Sequence, residues 1–78
     1  MSDRIRLIWD FKGPESKHMA DHHAQHLSEF VEARKLEETS CGVEVLSPMR
    51  TLAFMEGEEI QMEEVKPILR PHYEKEVE

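Results

Sequence analysis

Arg4-Ile5-Arg6-Leu7-Ile8-Trp9-Asp10-Phe11, closed by Gly13-Pro14, is the stretch on which the fold turns. Ile5, Leu7, Trp9 and Phe11 fall on one side and Arg4, Arg6, Ile8 and Asp10 on the other, the period-two pattern of a half-buried strand. Gly13-Pro14 ends it, and Pro14-Glu15-Ser16 suits the first turn of a helix, where a missing N–H is harmless and acidic charge meets the helix dipole. The spacing predicts a helix from about Pro14 to Lys35. Ala20, Ala24, Leu27, Phe30 and Val31 form one apolar stripe on it, with Asp21, Gln25, Ser28, Glu29 and Glu32 pointing elsewhere.

Further along, Glu37-Glu38-Thr39-Ser40-Cys41-Gly42 is a polar connection. Val43-Glu44-Val45-Leu46 and Arg50-Thr51-Leu52-Ala53-Phe54-Met55 then flank Ser47-Pro48-Met49, the layout of a hairpin. Glu56-Gly57-Glu58-Glu59 reads as a turn. Ile60, Val65, Ile68 and Leu69 follow at helical spacing, and Pro67 has to sit early in that helix or kink it. From Pro71 onward, His72 to Val77 fits either a charged edge strand or frayed helix.

The order β-α-β-β-α, with a possible last strand, predicts an α+β ferredoxin-like sandwich, an antiparallel sheet with two helices on one face, as a single domain over 1–78. The helix-covered face is expected to take Leu7, Trp9, Val43, Val45, Leu52 and Phe54. That leaves Ile8, Leu46, Ala53 and Met55 on the open one. An open sheet face with this much hydrophobe predicts a partner, and a second copy, giving a homodimer about a two-fold axis, is the expected one.

The composition fits such a domain. Apolar residues are 38% and charged residues 35% of 78, enough for one thin core, and a chain this short buries only about 60–65% of its unfolded surface, so self-association would help it. The net charge is −7. Residues 1–36 carry six basic and six acidic side chains, and residues 37–78 carry four and eleven. This excludes nucleic acid as the expected partner, since phosphate binding needs clustered Lys and Arg. No apolar run approaches a membrane span, and Met1-Ser2-Asp3-Arg4 lacks the apolar core of a secretory signal, so a membrane location is not expected. Cys41 is the single cysteine, which suits a reducing compartment, and the cytoplasm is the expected location. The neighbouring Glu37, Glu38 and Glu44 are expected to raise its thiol pKa, which makes it small core filler and no nucleophile.

Five residues are histidine, and His18, His22, His23 and His26 crowd nine positions of the first helix. His18, His22 and His26, spaced i, i+4, i+8, form a row that faces solvent at His18 and approaches the sheet at His26. Such neighbours can chelate Zn²⁺, Ni²⁺ or Cu²⁺, with Asp21, Cys41 or His72 as further candidate ligands. The H-E-x-x-H arrangement, which would add a general base, is missing. His23 projects into the apolar stripe beside Ala20, Leu27 and Phe30. There it is either a core-edge histidine bonded to a neighbouring acceptor, or, with Trp9 and Tyr73, part of a small pocket in which it serves as catalytic base. No nucleophile elbow, P-loop or G-x-G-x-x-G accompanies it.

With Arg4-Leu7-Ile8-Trp9-Asp10-Phe11, Gly13-Pro14 and His22-His23-x-x-His26-Leu27 together, the chain resembles small uncharacterised bacterial proteins of ferredoxin-like architecture. Its strand-loop-helix start is also similar to that of the heavy-metal-associated domains. Their C-x-x-C pair is replaced here by Lys12-Gly13-Pro14-Glu15-Ser16-Lys17, so their metal chemistry does not carry over. Small dimeric α/β-barrel and monooxygenase-like enzymes are similar in layout alone. The leading expectation is a non-catalytic, dimeric binding or interaction module without a cofactor. A transition-metal-binding protein and a small dimeric α/β-barrel-like enzyme with His23 as base are the alternatives.

Overall fold

The computed structural model describes residues 3–77, in the order β1 (Arg4–Lys12), α1 (Ser16–Arg34), β2 (Ser40–Ser47), β3 (Arg50–Glu58), α2 (Glu59–Leu69) and β4 (Tyr73–Val77). The strands make one antiparallel sheet in the order β2-β3-β1-β4, with the two longest, β1 and β3, at its centre. Both helices pack on the same side of it. Ala20 and Leu27 of α1, with Met62 and Val65 of α2, close over Ile5, Leu7, Trp9, Ala53 and Met55. This is the ferredoxin-like α+β arrangement, and the tail after Pro71 resolves as an edge strand paired to β1 from Ile8↔Tyr73 to Arg4↔Val77.

Several local readings change. Pro14 and Glu15 lie in a turn ahead of α1, where Ser16 N–H donates to Gly13 O at 3.0 Å and Gly13 takes a φ of 106° open to glycine. The acidic charge expected in the first helical turn therefore stands outside it. Glu56-Gly57-Glu58 continues β3 instead of turning, because Gly57 pairs with Ile5 and α2 starts at the next residue but one. A Cβ on Gly57 would sit 2.9 Å from Thr39 Oγ1 and 3.0 Å from Met62 Cε, so the missing side chain is what lets α2 close over the strand. Pro67 falls in the last turn of α2. The helix ends two residues later at Leu69, and the cap residue Arg70 is left-handed (φ 50°) and donates its N–H to Lys66 O at 2.8 Å. On α2 the buried row is Met62 and Val65 with half-buried Leu69, while Ile60, at 76% exposure, and Ile68 point outward.

The largest correction concerns β3. Leu7↔Met55 and Trp9↔Ala53 are opposite one another, so Thr51, Ala53, Met55 and Gly57 face the helices and Leu52 and Phe54 face the open side, the reverse of the sequence expectation. The ring of Trp9, whose indole N–H donates to Leu69 O at 3.2 Å, fills the space between the helices, and its cross-strand neighbour has to be small. Thr51 and Ser16 add a buried hydroxyl pair 3.4 Å apart where the start of α1 meets β3. Val45, also expected inside, is half exposed at the sheet edge.

Candidate functional site

Three features of the fold are open to functional use: the histidine row on α1, the inward His23, and the open sheet face. Within the row the helix brings two of three side chains together. His22 Nε2 and His26 Nε2 stand 3.1 Å apart with ring centroids at 4.6 Å, edge to face. His26 Nδ1 lies 3.5 Å from Glu29 Oε1. His26 stays exposed and does not approach the sheet, since it sits one helical step round from the buried Leu27. His18 shares a shallow concavity of about 380 Å³ with Asp21, His22 and Gln25 and takes no part in the His22–His26 hydrogen bond or ring contact. Among the described residues no three of His, Cys, Asp and Glu converge as a metal shell.

His72 is placed elsewhere. Its backbone N–H donates to Ile8 O at 2.9 Å, and its Nδ1 accepts the Asp10 N–H at 2.8 Å, so it fastens the chain entering β4 to β1. Cys41 lies half-buried in β2 against the core, and burial, instead of the glutamates expected to do so, pushes its thiol up, with a hydrogen bond to Ser28 acting the other way. Neither joins the histidine row.

His23 points into the core edge as the stripe predicts, with its ring clamped between Trp9 (centroids 4.9 Å apart) and Phe11 (5.6 Å). Phe11, not Tyr73, completes the clamp: Tyr73 is level with Ile8 on the opposite face of the sheet. The His23 Nε2 is sealed from solvent and has no hydrogen-bond partner among the described residues, in place of the bonded acceptor expected for it. Burial holds its pKa below the ordinary value, and the nearby His26, His72 and His22 push the same way. A general base has to reach a substrate proton, and in this arrangement the Nε2 is closed to one.

On the open face, β1 and β3 present Ile8, Leu52 and Phe54. Ile8 is only 3% and Leu52 8% exposed although no helix packs on this face, and Arg6, Glu44, Phe54, Tyr73 and Lys75 stand around them. Arg6 stacks its guanidinium 4.0 Å over the Phe54 ring and donates twice to Glu56 Oε1, at 3.0 Å and 2.8 Å, with Glu44 at 3.8 Å on its other side. Arg50 holds Asp10 through both carboxylate oxygens, at 3.1 and 2.7 Å, which keeps that carboxyl below the usual range. A hollow of about 140 Å³ remains between Arg6, Ile8, Glu44, Leu52, Phe54, Tyr73 and Lys75.

The register also sorts charge by face. Arg4, Arg6, Lys12, Arg50 and Lys75 share the open side with Asp10, Glu44, Glu56 and Glu58, five basic against four acidic. The remaining described residues carry five basic and twelve acidic side chains. No signal in the linear sequence gives this division, which needs the strand register to appear. No helix among the described residues is long and apolar enough to cross a membrane. No protein-family model, curated protein or solved structure matches the chain, so its functional reading rests on this geometry.

Proposed function

We propose that the chain is a small, non-catalytic interaction module that pairs with a second copy of itself through the open sheet face. The division of charge carries the reading. A two-fold interface sets the same patch against itself, so a strongly acidic patch repels its copy, whereas a patch with both signs in fixed positions can pair Arg with Glu across the axis. The open face, with five basic and four acidic side chains round an apolar centre of Ile8, Leu52 and Phe54, is the surface that meets this condition. The rest of an acidic molecule does not. The lone cysteine, Cys41, is consistent with work in the cytoplasm.

Sedimentation equilibrium tests it. The expected result is a concentration-dependent dimer that Phe54→Glu dissociates, by setting a charge at the centre of the patch, and that Ile60→Glu on the outer side of α2 leaves intact. A wild-type chain that stays monomeric at millimolar concentration overturns the proposal.

A further inference from the structure

We propose that His22 and His26 form a two-imidazole chelate for a divalent transition ion, Cu²⁺ most strongly, with Glu29 as the positioning residue that sets the His26 ring. Two nitrogens each about 2.0–2.1 Å from one ion, at angles between square-planar and tetrahedral, lie roughly 2.9–3.4 Å apart. The Nε2 atoms of His22 and His26 are 3.1 Å apart, so their spacing already matches the bite of a two-imidazole chelate. They stand in the middle of the 19-residue α1, which fixes their backbones.

Glu29 supplies the second element. Its carboxylate lies on the Nδ1 side of His26 at 3.5 Å, opposite the converging Nε2. With its proton on Nδ1, on the side facing that oxygen, His26 has the Nε2 lone pair left for an ion, and a small closing of the 3.5 Å gap would give the outer-shell arrangement that metal-ligating imidazoles usually have. Without an ion the same geometry lets the His22 Nε2–H donate to His26 Nε2; on binding, His22 takes its Nδ1–H tautomer, so both Nε2 lone pairs face the ion and no proton is released. The acidic side chains that dominate the molecule away from the open face favour a cation here. Both rings are exposed, and no third protein ligand converges among the described residues. Water must therefore fill the remaining positions, which suits reversible capture, and an all-imidazole pair favours Cu²⁺ over Ni²⁺ and Zn²⁺. The site lies on the helix side of the sheet, so it stands or falls independently of pairing through the open face.

The test is titration of the metal-free full chain with Cu²⁺ alone and with Zn²⁺ alone, reading the stoichiometry by calorimetry and the nitrogen coordination of Cu²⁺ by electron paramagnetic resonance. The expected result is one Cu²⁺ per chain with two imidazole nitrogens, bound more tightly than Zn²⁺. His22→Ala and His26→Ala should each weaken binding by about tenfold or more, and Glu29→Gln by a smaller factor in the same direction. His18→Ala, His72→Ala and Cys41→Ser should change it less than about twofold. These positions are exposed or peripheral to the core, and circular dichroism of each variant confirms that it folds. Loss of binding in His18→Ala equal to that in His22→Ala, or a wild-type chain that binds no tighter than His22→Ala, overturns the assignment.

Discussion

Under the helices, the sheet buries Leu7, Trp9, Ala53 and Met55 against Ala20, Leu27, Met62 and Val65. On the other side Ile8 and Leu52 lie nearly as deep with no element above them. The first burial comes from packing one layer on another, with large and small residues opposed, as Trp9 is to Ala53. The second comes from side chains alone: Arg6, Phe54, Tyr73 and Lys75 stand around Ile8 and Leu52, with Arg6 stacked on Phe54 and tied to Glu56 and Glu44. Equal exposure thus hides unequal mechanics: one face is closed for good, and the other is covered by groups that can rotate away.

The largest effect that separates the faces is a pair of truncations. Met55→Ala removes a fully buried side chain beneath two helices and should cost about 2–5 kcal/mol in urea unfolding at unchanged m-value. Leu52→Ala should fall at or below the low end of that range, because the side chains over it can settle into the space. Equal losses would mean that the open face is as rigidly packed as the covered one.

Much of this was legible in the sequence. Alternation in Arg4–Phe11, the Ala20-Leu27-Val31 stripe and the Pro48-Met49 hairpin all report local periodicity, and they fix the element order and hence the layout. The phase of β3 was not legible. Leu52, Ala53, Phe54 and Met55 are apolar on both sides, so alternation says nothing about which pair faces inward, and a one-residue slip exchanges the whole set. What decides it is non-local: the space left by Trp9, and the approach of Thr39 and Met62 to Gly57. The histidines divide the same way. Helical arithmetic placed His23 inward and His22 outward, while the convergence of His22 with His26 and the help of Glu29 depend on rotamers that spacing leaves free.

Two glycines on the same sheet give a smaller contrast. Gly57→Ala would drive a Cβ to 2.9 Å from Thr39 Oγ1 and 3.0 Å from Met62 Cε under α2, and overpacking of that kind costs about 1–3 kcal/mol. Gly42→Ala meets only the Phe54 ring, at 2.9 Å from Cζ and 3.2 Å from Cε2, on the open side. That ring can turn, so Gly42→Ala should cost less in urea midpoint than Gly57→Ala. A larger loss at Gly42 would show that the Arg6–Phe54 stack is as fixed as the core.

The faintest contrast is in pH, where each face has its own titrating group and the two act in separate windows. His23, clamped by Trp9 and Phe11 on the covered side, has its pKa lowered chiefly by burial. The unfolded chain therefore binds a proton at about pH 6.5 that the folded chain refuses, and stability is complete above that value and declines as the pH falls below it. Asp10, on the open side, has its carboxyl lowered chiefly by the Arg50 hydrogen bonds. Its contribution is present above the unfolded value of about 3.9 and is lost only as the pH falls through the lowered folded value. Urea midpoints measured from pH 8 down into the acid range below the unfolded Asp value should then show two descents, the lower one continuing through the lowered Asp10 value. His23→Phe, which keeps an aromatic ring in the clamp, should flatten the upper step and leave the lower one, while Asp10→Asn should do the reverse. If the upper step persists in His23→Phe, the proton taken up near neutrality belongs to another group and the covered face is not the pH-sensitive one.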